Sequence, residues 1–146
     1  MFKNILLATD GSEASTHAAE LAVNLARTHG AKLTALYVMD PYPYLSIGET
    51  NPLGFQAYMA AAQQHAAQAH AKVAALCGAP DVGVKLEARM AENVSAVSGI
   101  VQTIKDEGAD LVVIGSHGRT GIARLVLGSV ASKVAAESPV PVLIAR

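Results

Sequence analysis

Four apolar residues in a row, Ile5-Leu6-Leu7-Ala8, are the tightest constraint on how this chain folds. Successive side chains of a strand point to opposite faces, so an unbroken apolar run is buried on both. Sheets buried on both faces are parallel sheets covered by helices. A second such run, Leu111-Val112-Val113-Ile114, stops at Gly115.

Between these runs the periodicity changes to that of helices. The segment from Phe2 to Thr9 reads as the first strand, broken by Asp10-Gly11-Ser12. From Glu13 to His29, Ala18, Leu21, Ala22 and Leu25 share one helical face, with Ser12 as N-cap and Gly30 as the stop. Lys32–Met39 is the second strand. Asp40–Leu53, rich in Pro, Tyr and Gly, reads as a long loop, the kind that serves as a lid or an interface segment. Tyr42 and Tyr44 in it either cover a ligand or anchor the loop to the body. A helix is expected from about Gly54 to Leu76, opening after Asn51-Pro52 and closing at Gly78-Ala79-Pro80. Val82, Val84 and Leu86 alternate with polar neighbours, so Val82–Ala88 is expected to be a strand near a sheet edge. Asn93 is the expected cap of a helix carrying Val97, Ile100, Val101 and Ile104, with Gly108 closing it. After the strand at Leu111, a helix runs to Glu137, and Val142–Ala145 forms the last strand.

Strand and helix alternating along the whole chain require crossover connections, hence an α/β fold with a five-stranded parallel sheet and helices on both faces. The expected strand order is 3-2-1-4-5. Ligands of such sheets bind beyond the carboxyl ends of the strands where the order reverses, which puts the Asp10 loop beside the Gly115 loop.

The loop after Ile114 has the spacing Gly115-x2-Gly118-x9-Gly128-Ser129. It has neither the Gly-Lys-Ser/Thr ending of a Walker loop nor the G-x-G-x-x-G of a dinucleotide site. Glycine lets a ligand approach bare backbone, and the first N–H groups of a helix lack internal partners and carry partial positive charge. Together they suit a phosphate-sized anion. The alternative is a strand-to-helix connection whose glycines serve only tight turns. Ser129 is read as a cap for the following helix or a hydroxyl donor to a phosphate oxygen. Asp10, with no second carboxylate in the glycine loop, is read as a hydrogen-bonding ligand contact rather than as a metal ligand or general base. His117 is either a proton donor to phosphate or an exposed loop residue. Arg119, beside Gly118, is better placed than Arg124 to clamp a phosphate.

Composition narrows the classes. With 146 residues the chain is expected to be one domain. It is 51% hydrophobic with no Trp, so Val, Ile, Leu and Ala build the core. A net charge of −1 with scattered basic residues argues against a nucleic-acid surface. The single Cys77 excludes an internal disulfide and suits a reducing compartment. No run of eighteen apolar residues and no signal peptide is read, so the expected location is cytoplasmic, with no membrane partner. His65 and His70, five apart, fall on different helix faces, and no structural metal is expected.

The opening ILLATDGSEAS, the segments YVMD and ADLVVIGSHGRTG, the GSVASKV helix start and the terminal SPVPVLIAR resemble the universal stress proteins, in their nucleotide-binding branch. The resemblance covers the whole chain and includes the family's G-x2-G-x9-G-[ST] signature without a gap. It implies ATP binding in a Rossmann-like, adenine nucleotide α-hydrolase-like fold. The adenosine end would lie near Asp10 and Val38, and the phosphates over Gly115, Gly118, Gly128, Ser129 and Val130, with Mg²⁺ arriving with ATP and with AMP or ADP as further ligands. Ala8, Thr9, Ile114, His117 and Arg119 complete the expected nucleotide-binding set. Ile114 stands where members often carry Met. The resemblance also implies a homodimer through the strand Val142–Ala145, and a nucleotide-dependent regulator of the stress response. An enzyme that hydrolyses or transfers nucleotide, or a nucleotide-free dimeric scaffold, are the alternatives.

Overall fold

The computed structural model describes residues 1–40, 52–79, 83–117 and 126–146. Its elements in chain order are β1 (Asn4–Ala8), α1 (Glu13–His29), β2 (Lys32–Val38), α2 (Pro52–Cys77), β3 (Leu86–Ala91), α3 (Ala96–Glu107), β4 (Leu111–Gly115), α4 (Ser129–Glu137) and β5 (Val142–Ala145). The five strands form one sheet in the order β3-β2-β1-β4-β5, and every pairing is parallel.

The consecutive apolar residues of β1 divide between two cores. Ile5 and Leu7 meet α1 and α2 on one face, with Ala18, Ala22, Ala26 and Val73. Leu6 meets Ile100, Ile104 and Val134 from α3 and α4 on the other. Leu6 and Leu7 have no solvent exposure, so truncation of either to Ala removes about 2–5 kcal/mol. Small alanines let α1 lie close on the sheet. Ser12 caps α1, accepting from the Ser15 amide, and Gly30 closes it in the left-handed region at φ 63°.

Several boundaries differ from expectation; β1 and β2 are shorter than the expected Phe2–Thr9 and Lys32–Met39. The third strand is Leu86–Ala91 rather than starting upstream of Leu86; Val82, its expected start, lies outside the described residues. Val84 is buried in the core, and pairing with β2 begins where Leu33 N donates to Lys85 O at 2.9 Å. The strand is held by charges from elsewhere: Lys32 of β2 bridges Glu87 and Glu107, and Arg89 bridges the same two carboxylates. The cap of α3 is Ser95, which accepts from the Ser98 amide, whereas Asn93 adopts φ 56° before it. Helix α2 opens at Pro52, so Pro52 and Leu53 belong to the helix and not to the preceding loop. Tyr42, Tyr44 and the rest of that loop after Asp40, up to Asn51, lie outside the described residues. Cys77 is a buried free thiol, pushed up in pKa by burial. Among the described residues no helix is long and apolar enough to cross a membrane.

Candidate functional site

At the carboxyl ends of β1 and β4, where the chain reverses its direction of travel across the sheet, lies a cleft of about 750 Å³. Its walls include ten of the twelve site residues expected from sequence: Ala8, Thr9 and Asp10 after β1; Val38 at the end of β2; Ile114, Gly115 and His117 at the end of β4; and Gly128, Ser129 and Val130 at the start of α4. Gly118 and Arg119 lie outside the described residues, as do Gly121 and Arg124. Part of the cleft wall is apolar: Leu36, Val38, Ile100 and Leu127 line it and belong to one hydrophobic cluster.

The Asp10 loop is fixed by short-range bonds. Asp10 Oδ1 accepts from the Ser12 amide at 2.9 Å. Gly11 turns the chain at φ 73°, and its amide donates to Thr9 Oγ1 at 3.2 Å. From above, Lys72 Nζ of α2 donates to Gly11 O at 2.6 Å.

The glycine side is fixed by close approach. A Cβ on Gly115 would meet Ala14 O at 3.5 Å and Ser15 Cα at 3.8 Å, so the first turn of α1 rests on the end of β4. A Cβ on Gly128 would meet Ser116 O at 2.7 Å. Ser129 is the first residue of α4 and not its cap; the cap is Gly128, with no side-chain hydrogen bond. The first bond of the helix is Ser132 N to Gly128 O, at 2.9 Å. The amides of Ser129, Val130 and Ala131 precede it and have no backbone acceptor among the described residues. These three orphan donors, with the positive end of the helix dipole, match an anionic group in charge and chemistry.

His117 is half-buried rather than exposed. Its Nδ1 lies 2.8 Å from Ser116 Oγ, and its Nε2 is buried without a partner among the described residues. Tyr58 of α2 donates to Asp40 O at 2.6 Å across the end of β2. Burial, and then the neighbouring Asp40 carboxylate, push the Tyr58 phenol up in pKa. His65 is exposed and His70 half-buried, with burial lowering the His70 pKa. No group of three or more potential metal ligands occurs among the described residues.

Ser15 and Ser116 were not singled out from sequence, although both are buried and line the cleft. The Ser15 hydroxyl reaches Thr9, beyond the end of β1, whereas that of Ser116 meets its neighbour His117. Only Ser15 carried a local signal, as an alcohol in the first turn of a helix beside the Asp10 loop.

The sheet order and the cleft at its reversal point define a Rossmann-like α/β protein. The chain belongs to the universal stress protein family, whose model matches residues 1–146. A universal stress protein of Thermus aquaticus is 39% identical over 148 residues, covering all of both chains. A solved structure of a universal stress protein from Lactobacillus plantarum superposes with a TM-score of 0.77 at 28% identity, covering 99% of this chain and 97% of the other. A universal stress protein solved in complex with cAMP matches with a TM-score of 0.69, also at 28% identity and with the same coverage.

Proposed function

We infer that this chain is a single-domain, nucleotide-binding universal stress protein that holds ATP in the cleft between β1 and β4. The bare start of α4 is the observation that carries the reading. Ser12 caps α1 and Ser95 caps α3 with side-chain oxygens, whereas α4 opens on Gly128 and leaves three amides without a described acceptor on the cleft wall. A phosphate supplies the missing acceptors. The structurally similar protein in complex with cAMP supports an adenine nucleotide as the ligand.

In this reading the base lies against the apolar wall at Val38, and the ribose meets Asp10 beside Ala8 and Thr9. The phosphates lie over Ile114, Gly115, Gly128, Ser129 and Val130, and His117, Gly118 and Arg119 belong to the same proposed binding set. Mg²⁺ accompanies the phosphates of ATP, and ADP and AMP share its adenosine contacts. The protein acts in the cytoplasm as a dimeric regulator of the stress response, and the nucleotide is its signal.

The test is calorimetric titration of Mg-ATP into wild type and Ser129→Pro. Proline is tolerated at the first helical position, and Gly128 already has the extended ψ of 152° that a following proline requires. The substitution removes one amide donor and one hydroxyl and leaves the helix intact. Affinity is expected to fall about tenfold to a hundredfold, the scale of one hydrogen bond to a charged group, with the circular dichroism spectrum unchanged. A wild-type protein that binds no adenine nucleotide overturns the reading.

A further inference from the structure

The two sides of the cleft touch at Ser15. Thr9 and Ser15 are 7% and 6% exposed, and buried hydroxyls of this kind need partners. Theirs form a closed chain. Ser15 Oγ donates to Ser12 O at 2.8 Å, which commits its one proton. The 3.2 Å contact between Thr9 Oγ1 and Ser15 Oγ therefore has Thr9 as donor. Thr9 Oγ1 in turn accepts from the Gly11 amide. The chain Gly11 N–H to Thr9 to Ser15 to Ser12 C=O encircles Asp10, and the Asp10 carboxylate is tied into the same ring through the Ser12 amide. On its other side, Ser15 Cα stands under Gly115.

We propose that Ser15 and Thr9 are positioning residues that aim the Asp10 carboxylate at the sugar of a bound nucleotide, and so set selectivity for a ligand with ribose hydroxyls. The proposal rests on the nucleotide reading of the cleft. Ser15 sits behind the loop and acts through Asp10. Without the ring, the loop from Asp10 to Ser12 keeps its turn but loses two of the bonds that fix its height above β1. A carboxylate free to shift by a fraction of an ångström still accepts a hydrogen bond, but no longer holds two adjacent hydroxyls against their loss.

The experiment is calorimetry with ATP and with 2′,3′-dideoxy-ATP, both with Mg²⁺, on wild type, Ser15→Ala, Thr9→Val and Thr9→Ser. Wild type is expected to prefer ATP. In Ser15→Ala and Thr9→Val that preference falls about tenfold, the scale of one hydrogen bond, while affinity of Ser15→Ala for the dideoxy ligand changes by less than about twofold on the same scale. Thr9→Ser keeps the hydroxyl and keeps the preference. Thermal melts accompany each variant, and Thr9→Val carries the test if Ser15→Ala does not fold. Equal weakening of both ligands reduces the hydroxyls to a structural role and overturns the proposal, as does an unchanged preference. Wild type binding both ligands equally overturns it through Asp10. Wild type binding neither removes the nucleotide reading itself.

Discussion

The amide of Gly128 donates to the carbonyl oxygen of Ser116 at 2.7 Å, which seats the start of α4 on the end of β4. A Cβ at Gly128 would lie equally close to that oxygen, and backbone cannot swing aside as a side chain can. Gly128→Ala therefore separates the helix from the strand. The expected cost is about 1–3 kcal/mol, read by urea denaturation. Mg-ATP affinity should fall further than stability alone explains, because all three amides move. A variant as stable as wild type with full affinity would show that Gly128 is dispensable.

Gly11 is constrained twice, by its φ of 73° and by Ala69 of α2, whose Cβ lies 2.9 Å from where a side chain would begin. Gly11→Ala places an L-residue in the left-handed region and pushes on α2. Destabilisation of about 1–3 kcal/mol is expected from the strained backbone. For a chain of this size that lowers the melting temperature by roughly 2–4 °C per kcal/mol. Gly30, also at positive φ, meets nothing within 4 Å. Gly30→Ala should consequently cost less than Gly11→Ala, and scanning calorimetry of the pair separates backbone strain from the clash with α2.

What was legible in the sequence depended on how local its cause was. The strands β1 and β4 announced themselves because burial on both faces leaves no polar position; the crossovers implied a parallel sheet, and 3-2-1-4-5 was one of the doubly wound orders they allow. The third strand was misplaced because the alternation Val82, Val84, Leu86 imitates a half-buried strand. Its true span carries Glu87 and Arg89, whose partners Lys32 and Glu107 are remote in sequence. Asn93 and Ser95 are both good cap residues, and only the left-handed φ of Asn93 decides between them. The glycine spacing pointed to the cleft. Ser15 did not, since its hydroxyl gains its role only when α1 folds back over Thr9.

The charge cluster at the β3 edge gives a pH dependence with a definite sign. Lys32 first, and then Arg89, hold the Glu107 carboxyl below its ordinary value by hydrogen bonding its ionised form. A carboxyl with a lowered folded-state pKa contributes stability above its unfolded pKa and loses it as pH falls through the folded value. Both cations stay charged throughout that range, since Lys32 and Arg89 are themselves raised. Glu107→Gln should therefore melt below wild type at pH 7, with the gap constant down to about pH 5 and closing as the medium becomes more acidic than the usual carboxylate range. Melts of both proteins from pH 7 to pH 3 read this directly. A gap that widens toward acid would mean that Glu107 is not the anion that binds the cluster together.

The sheet ends at β5, which pairs with β4 on one side through bonds such as Ser116 N to Ala145 O at 2.7 Å. Leu143, at the centre of the strand, is 37% exposed and one of few large apolar residues on the described surface. An apolar edge strand is a template for pairing, and a second copy of the same strand would cover it across a two-fold axis. Helix α4 leads directly into this strand through Ser138, whose hydroxyl bonds Val140 on both its amide and its carbonyl. The α4 side of the cleft and the edge are thus ends of one short segment. We expect sedimentation velocity to show a dimer for wild type and a monomer for Leu143→Lys, because a buried unpaired charge at the centre of a paired edge disfavours association. The monomer should still bind Mg-ATP, since Leu143 is absent from the cleft wall. A wild-type monomer, or a Leu143→Lys dimer of unchanged stability, would place the contact between copies elsewhere on the molecule.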